Sequence, residues 1–104
     1  MATEVVWTEP ALEDLNQVFE YYRSHYSETS AVKIFNVLVD AADSLLPFPD
    51  MAPKEELLRH RREGFRALVQ GHYKIIYYIE NDIVQIAMIW DCRQNPIRLI
   101  DRFR

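Results

Sequence analysis

The side chains of this chain with the most obvious chemistry are its cations. Arg59-His60-Arg61-Arg62 sets four basic or titratable groups in a row, and Arg66 and Lys74 follow. A mobile loop carrying guanidinium groups can neutralise phosphates, which supplies the sequence-independent part of nucleic-acid binding. A run of this kind is more often an ordinary solvated loop, and residue types alone leave both readings open. Cys92 is the only cysteine, so it has no intramolecular disulfide partner, and no cysteine–histidine spacing suggests a zinc site. Neither a metal nor a cofactor is expected.

These cations sit in and just before a stretch that must be sheet. In 64–93, Phe65, Ala67 and Val69, then Tyr73, Ile75, Tyr77 and Ile79, then Val84, Ile86, Met88 and Trp90 each recur at every second position, the period of a pleated strand. Gln70-Gly71-His72 and Glu80-Asn81-Asp82 supply turn residues tolerant of positive φ, so three strands joined by short turns form an antiparallel meander. The intervening residues are Arg66 and Leu68, then Lys74, Ile76 and Tyr78, then Ile83, Gln85, Ala87, Ile89 and Asp91. Cations and phenols among these aliphatics predict one core face and one face only partly covered.

The first half of the chain must supply the cover. Glu4-Val5-Val6-Trp7 reads as a first strand whose neighbour cannot be deduced. Thr8 is a good N-cap, with Pro10 tolerated in the first turn and Glu9, Glu13 and Asp14 near the positive end of the helix dipole. Ala11, Leu12, Leu15, Val18, Phe19, Tyr22 and Tyr26 then follow helical spacing. Ser24 to Ser27 interrupts it. Ser27, Thr29 and Ser30 are alternative caps of a second helix running to about Leu46, with Ala31, Ile34, Phe35, Leu38, Ala41 or Ala42, Leu45 and Leu46 on its apolar stripe. A connection this short makes an antiparallel helical hairpin, and its apolar face has only the sheet to rest on. The predicted class is α+β in the order β-α-α-β-β-β, with the hairpin on one face of a mainly antiparallel sheet.

Pro47 to Pro53 cannot continue a helix and forms a crossing loop, with Phe48 and Met51 as its expected anchors. Leu57 and Leu58 open either a strand or a helical turn. After Gln94-Asn95-Pro96, the residues Ile97, Leu99, Ile100 and Phe103 form a last helical turn or short strand that docks on the body or awaits a partner.

At 104 residues and 49% hydrophobic, the chain fits one domain with a modest core. The net charge is −4, divided as −7 over residues 1–50 and +3 over residues 51–104. Either the acidic helices simply confer solubility, or the basic sheet half meets something anionic. With no leader-like N-terminus and no apolar run long enough to span a bilayer, a cytoplasmic protein without a membrane partner is expected.

Several of these residues fall in a recurring order: Trp7-Thr8-Glu9, Ala11 and Asp14-Leu15 opening the first helix; Ala31 opening the second; Leu46, Phe48-Pro49 closing it; Phe65-Arg66, Leu68, Gly71 and Tyr73-Lys74-Ile75-Ile76-Tyr77; and Trp90 to Pro96. In that order and spacing the chain resembles the RelE/ParE superfamily of type II toxin–antitoxin toxins over nearly its whole length. The resemblance implies a small α+β toxin that a cognate antitoxin, usually encoded beside it, wraps and neutralises.

Two activities occur on that fold. RelE-like members cut messenger RNA on the ribosome, which requires a base for the ribose 2′-hydroxyl, cations for the phosphorane and a proton donor for the leaving oxygen. Arg93 matches the late-sheet arginine of such enzymes, and is the one catalytic residue the resemblance implies. Their C-terminal tyrosine or histidine–tyrosine pair is replaced here by Leu99 and Phe103, and their mid-sheet arginine falls near Leu68 or Val69. His60, His72, Tyr73 and Tyr77 would substitute only if the fold gathered them. ParE-like members are associated instead with poisoning DNA gyrase by binding, which needs no acid–base set, and the departures favour that reading. Arg59, Arg61, Arg62, Arg66, Lys74 and Arg93 are then the expected target contacts. Leu99, Ile100 and Phe103 with an open sheet edge are the expected antitoxin contacts, in an assembly of one or more copies of each. A third reading keeps the fold as a repurposed binding module.

Overall fold

A computed structural model of the chain describes residues 1–103. Strand β1 (Glu4–Trp7) leads into helices α1 (Glu9–His25) and α2 (Glu28–Asp43), and a single 3-10 turn at Glu56–Leu58 precedes β2 (Arg66–Gln70), β3 (Tyr73–Glu80) and β4 (Ile83–Asp91). A short helix α3 (Ile97–Asp101) ends the fold. No helix among the described residues is long and apolar enough to cross a membrane.

Local chemistry sets the boundaries. The Thr8 side chain accepts from the Ala11 amide at 3.4 Å, and its hydroxyl donates to the Ile86 carbonyl at 2.7 Å, so one residue caps α1 and fixes it to β4. Of the three possible caps of α2, Ser27 is the one used, accepting from the Ser30 amide at 3.0 Å. The helix stops at Asp43, short of the expected Leu46, and residues 44–47 continue as turns. Asn81 and Asp82 both have positive φ (53° and 62°), the geometry of the two-residue hairpin that suits strand twist.

The sheet order is β1-β4-β3-β2, with β1 parallel to β4 and the other pairs antiparallel. The first strand therefore lies at one edge. Between β3 and β4 the register shifts: Tyr77 faces Ile86 while Ile76 faces Met88, leaving Ala87 as an extra residue. This bulge re-aims everything after it. Val84 and Ile86 point to the helices, but Met88 and Trp90 turn to the opposite face, and Ile89 takes the helix side. Strict alternation had placed Val84, Ile86, Met88 and Trp90 together.

Two cores result, one on each face. Leu15, Leu38, Ala42 and Leu45 from the hairpin pack on Ile75, Tyr77, Val84, Ile86 and Ile89. On the other face Phe65, Ala67, Ile76, Met88 and Trp90 are covered by Leu58 of the 3-10 turn and Leu99 of α3, with Phe103 against them. The expected half-open face is thus closed, because the bulge supplies it with two large apolar residues and the chain returns twice to cover them.

The crossing loop is also anchored differently from expectation. Phe48 and Met51 point to solvent. The loop is held instead by its backbone: Tyr77 donates to the Pro49 carbonyl at 2.7 Å, and one Arg66 nitrogen donates to the carbonyls of Asp50 (3.1 Å) and Ala52 (2.6 Å).

If α3 closes a real second core, Leu99→Ala removes a fully buried side chain and should lower unfolding free energy by about 2–5 kcal/mol in urea titration. A loss below about 1 kcal/mol would mean that the tail only rests on the surface.

Candidate functional site

The cations singled out in the sequence do not share one surface. Arg66 pairs across the strands with Tyr77, which puts it on the helix face, whereas Lys74 pairs with Trp90 and lies on the other. Each also has an internal partner. Arg66 binds the loop carbonyls, and the Lys74 ammonium meets the Glu55 carboxylate at 2.6 Å. Glu55 is itself buried, and a buried carboxylate is tolerable only when paired.

In the 59–62 run, Arg61 is drawn inward. It bridges Glu63 at 2.6 Å, donates to the Phe103 carbonyl at 3.1 Å, and lies 5.2 Å from the centre of the Phe103 ring. Arg59 and Arg62 stay exposed, Arg59 with only a loose 3.9 Å contact to Glu56. His60 is exposed on the same loop.

Arg93 lies at a cleft of about 390 Å³ where α1 passes the end of β4, lined also by Asp14, Tyr21, Tyr73, Trp90, Asp91 and Arg102. Asp91 grips the Arg93 guanidinium through both oxygens, at 3.0 and 2.8 Å, and accepts from its amide at 2.9 Å. This hydrogen bonding holds the Asp91 carboxyl below the usual range and raises the Arg93 guanidinium. Across the cleft Asp14 accepts from the Ile89 amide at 3.1 Å and pairs with Arg102 at 3.2 Å. Burial nevertheless pushes the Asp14 carboxyl up, against the pull of Arg102 and the amide. Burial, and then the neighbouring Tyr22, raise the Tyr73 phenol well above its ordinary value.

A proton-transfer reaction needs a group poised near working pH; in the cleft Asp91 is paired with Arg93 and Asp14 with Arg102, and burial makes the Tyr73 phenol less acidic. The four substitutes for an acid and base are dispersed. Tyr73 and Tyr77 lie on the helix face, with Tyr77 bound to Pro49, while His72 is exposed at the β2–β3 turn and His60 is on the distant loop. Asp14, Glu55, Asp91 and Arg102 were not singled out by sequence reasoning. The pairings span 75 residues for Asp14 with Ile89, 88 for Arg102 with Asp14 and 19 for Lys74 with Glu55, which no local spacing signals, whereas Asp91 lies only two residues from Arg93.

The expected antitoxin contacts are largely taken by the molecule itself. Leu99 is fully buried, Ile100 and Phe103 are half-buried, and the Phe103 ring stands 4.9 Å from that of Phe65. Apolar surface remains at Ile97, which is 61% exposed, and at Val69, which is 60% exposed on the edge strand β2. The segment 53–55 covers that edge only as far as Ala67, through Glu55 to the Phe65 carbonyl (2.9 Å) and Ala67 to the Pro53 carbonyl (3.0 Å).

Comparison with known proteins adds two findings. A family model described as the ParE toxin of the type II toxin-antitoxin system, parDE, matches residues 5–96. A solved structure described as the chromosomal ParDE TA system from P. aeruginosa is similar with a TM-score of 0.71 and 18% identity, covering 86% of this chain and 94% of that one. At that identity the likeness is one of fold. No curated protein matches the chain.

The Asp91–Arg93 pair makes a direct expectation. By NMR titration the Asp91 carboxyl should titrate below 3.8 in the unmodified protein and move up towards the ordinary range in Arg93→Ala. Because the folded value is depressed, the stability this pair contributes is present above the ordinary carboxylate value and is lost as pH falls through the folded one. An Asp91 titration unchanged by Arg93→Ala would contradict the pairing.

Proposed function

Because the chain belongs to the ParE toxin family of type II toxin–antitoxin systems, we propose that it arrests growth by binding an essential target of the DNA gyrase class, and that a cognate antitoxin neutralises it. The setting is the cytoplasm, where both partners would be met. One observation carries the choice of binding over cleavage. Arg93, the residue a ribosome-dependent nuclease would use, is already held by both oxygens of Asp91. A cation so neutralised offers little to a phosphorane, and of the groups that share its cleft Asp14 is paired with Arg102 and the Tyr73 phenol is made less acidic by burial.

Antitoxin capture has two openings. The β2 edge beyond Ala67 can accept an added strand, and exposed Ile97 with half-buried Ile100 and Phe103 can take an apolar side chain alongside it. Arg59 and Arg62 are the exposed arginines of the basic loop, and they suit acidic residues of that partner as well as a target.

The purified protein should inhibit supercoiling by DNA gyrase and leave message intact on programmed ribosomes. Codon-register cleavage that disappears in Arg93→Ala would overturn the reading in favour of an mRNA endoribonuclease. Expression in cells without an antitoxin should arrest growth; unimpeded growth would mark a repurposed binding module.

A further inference from the structure

The loop after α2 combines two properties that rarely occur together. Its side chains are apolar and outward: Phe48 is 67% and Met51 49% exposed, with Leu46 beside them. Its backbone is nevertheless tied down. Besides the grip of Tyr77 and Arg66 on residues 49–52, the Ala2 amide donates to the Leu46 carbonyl at 3.0 Å, the Met51 amide to the Phe48 carbonyl at 3.1 Å, and the Ala67 amide to the Pro53 carbonyl at 3.0 Å. Pro47, Pro49 and Pro53 restrict it further. An aromatic anchor presented on a backbone that need not be ordered on association is the make-up of an interface hot spot.

The exposed side-chain charge around this tip is of one sign. Hydrogen bonds connect its surroundings in sequence: Leu46 to Asp43 (3.1 Å), Ala2 to Leu46 (3.0 Å), and Thr3 to Asp82 (2.8 Å), with Glu4 opposite Ile83 in the sheet and Glu80 opposite Ile83 on the other side. Glu4, Asp43, Asp50, Glu80 and Asp82 are all exposed there. The segments 1–22, 34–53 and 75–92, which build this pole, contain no lysine or arginine. Among the described side chains, the cation that reaches it is Arg66, which lies beneath the loop and is bound to its carbonyls, and the Met1 amino group stands next to Ala2 at its margin.

We infer that this pole is the target-docking surface of the toxin: Phe48 and Met51 enter an apolar pocket, and the carboxylates exposed on the same pole meet a basic protein surface beside it. A basic surface of this kind is what an enzyme uses to hold duplex DNA, so the inference names the part of the target that the proposed function leaves open, and it rests on that proposal. It reverses the charge logic of the sequence. In the basic half of the chain Arg61, Arg66, Lys74, Arg93 and Arg102 are taken up by partners within the molecule, and the exposed side-chain charge at this pole is acidic.

The test uses the full chain, Phe48→Ser/Met51→Ser, and Asp43→Asn/Asp50→Asn/Asp82→Asn. All the replaced side chains are exposed, and melting curves establish that the variants fold. Growth arrest is scored without assuming a target, and supercoiling inhibition is measured separately. The apolar double variant should lose arrest and at least about tenfold in inhibitory potency, as expected for a hot-spot anchor. The charge variant should lose potency at low salt and converge on the unmodified protein as salt rises. Folded variants that arrest growth as strongly as the unmodified chain overturn the inference. Arrest that depends on Phe48 and Met51 without any effect on gyrase supports the pole and removes gyrase as its target. No arrest by the unmodified chain overturns both.

Discussion

A sheet covered on both faces leaves no room for an unpaired polar group, and that constraint governs this molecule. The bulge at Ala87 moves Met88 and Trp90 away from the helices, so the second face acquires an apolar surface of its own and the 3-10 turn and α3 close over it. Once both faces are dry, a charged strand residue that lies under the cover must find a partner inside the molecule. Among the described residues no buried side-chain nitrogen or oxygen lacks one. Lys74 takes Glu55, and Arg66 takes two carbonyls of the crossing loop.

The architecture was legible wherever the signal is local. Thr8 and Ser27 are caps by chemistry, the Asn81-Asp82 turn fits a tight hairpin, and the spacing of Leu15, Val18 and Tyr22 is that of a buried helix face. What failed depended on register. A single extra residue in β4 reverses the facing of all that follow it, and nothing in Ile86-Ala87-Met88 announces the change. Neither did the sequence disclose that Arg66 and Lys74 point to opposite faces, since that follows from the pairing of β2 with β3. The parallel neighbour of β1 was open for the same reason.

The candidate site was less legible than the fold because charged residues are recognised by type and act by partner. Arg93 reads as a catalytic arginine until Asp91, two residues earlier, is seen to hold it. Phe48 reads as a buried anchor until Tyr77 and Arg66 are seen to hold the backbone in its place. Both cases shift the balance from chemistry on a substrate towards recognition by shape and charge. The strands supply the rigidity, the loop presents the aromatic, and the carboxylates come from β1, the end of α2, the loop itself and the β3–β4 turn.

That account stands on the crossing loop being as ordered as the sheet although its apolar side chains face water. Backbone 15N relaxation on the unmodified protein measures this directly. Order parameters for residues 48, 50, 51 and 52 near those of β3, about 0.85, are predicted. Values below about 0.6 in that stretch, with β3 rigid beside it, would show that Arg66 and Tyr77 do not hold the loop and would contradict the account.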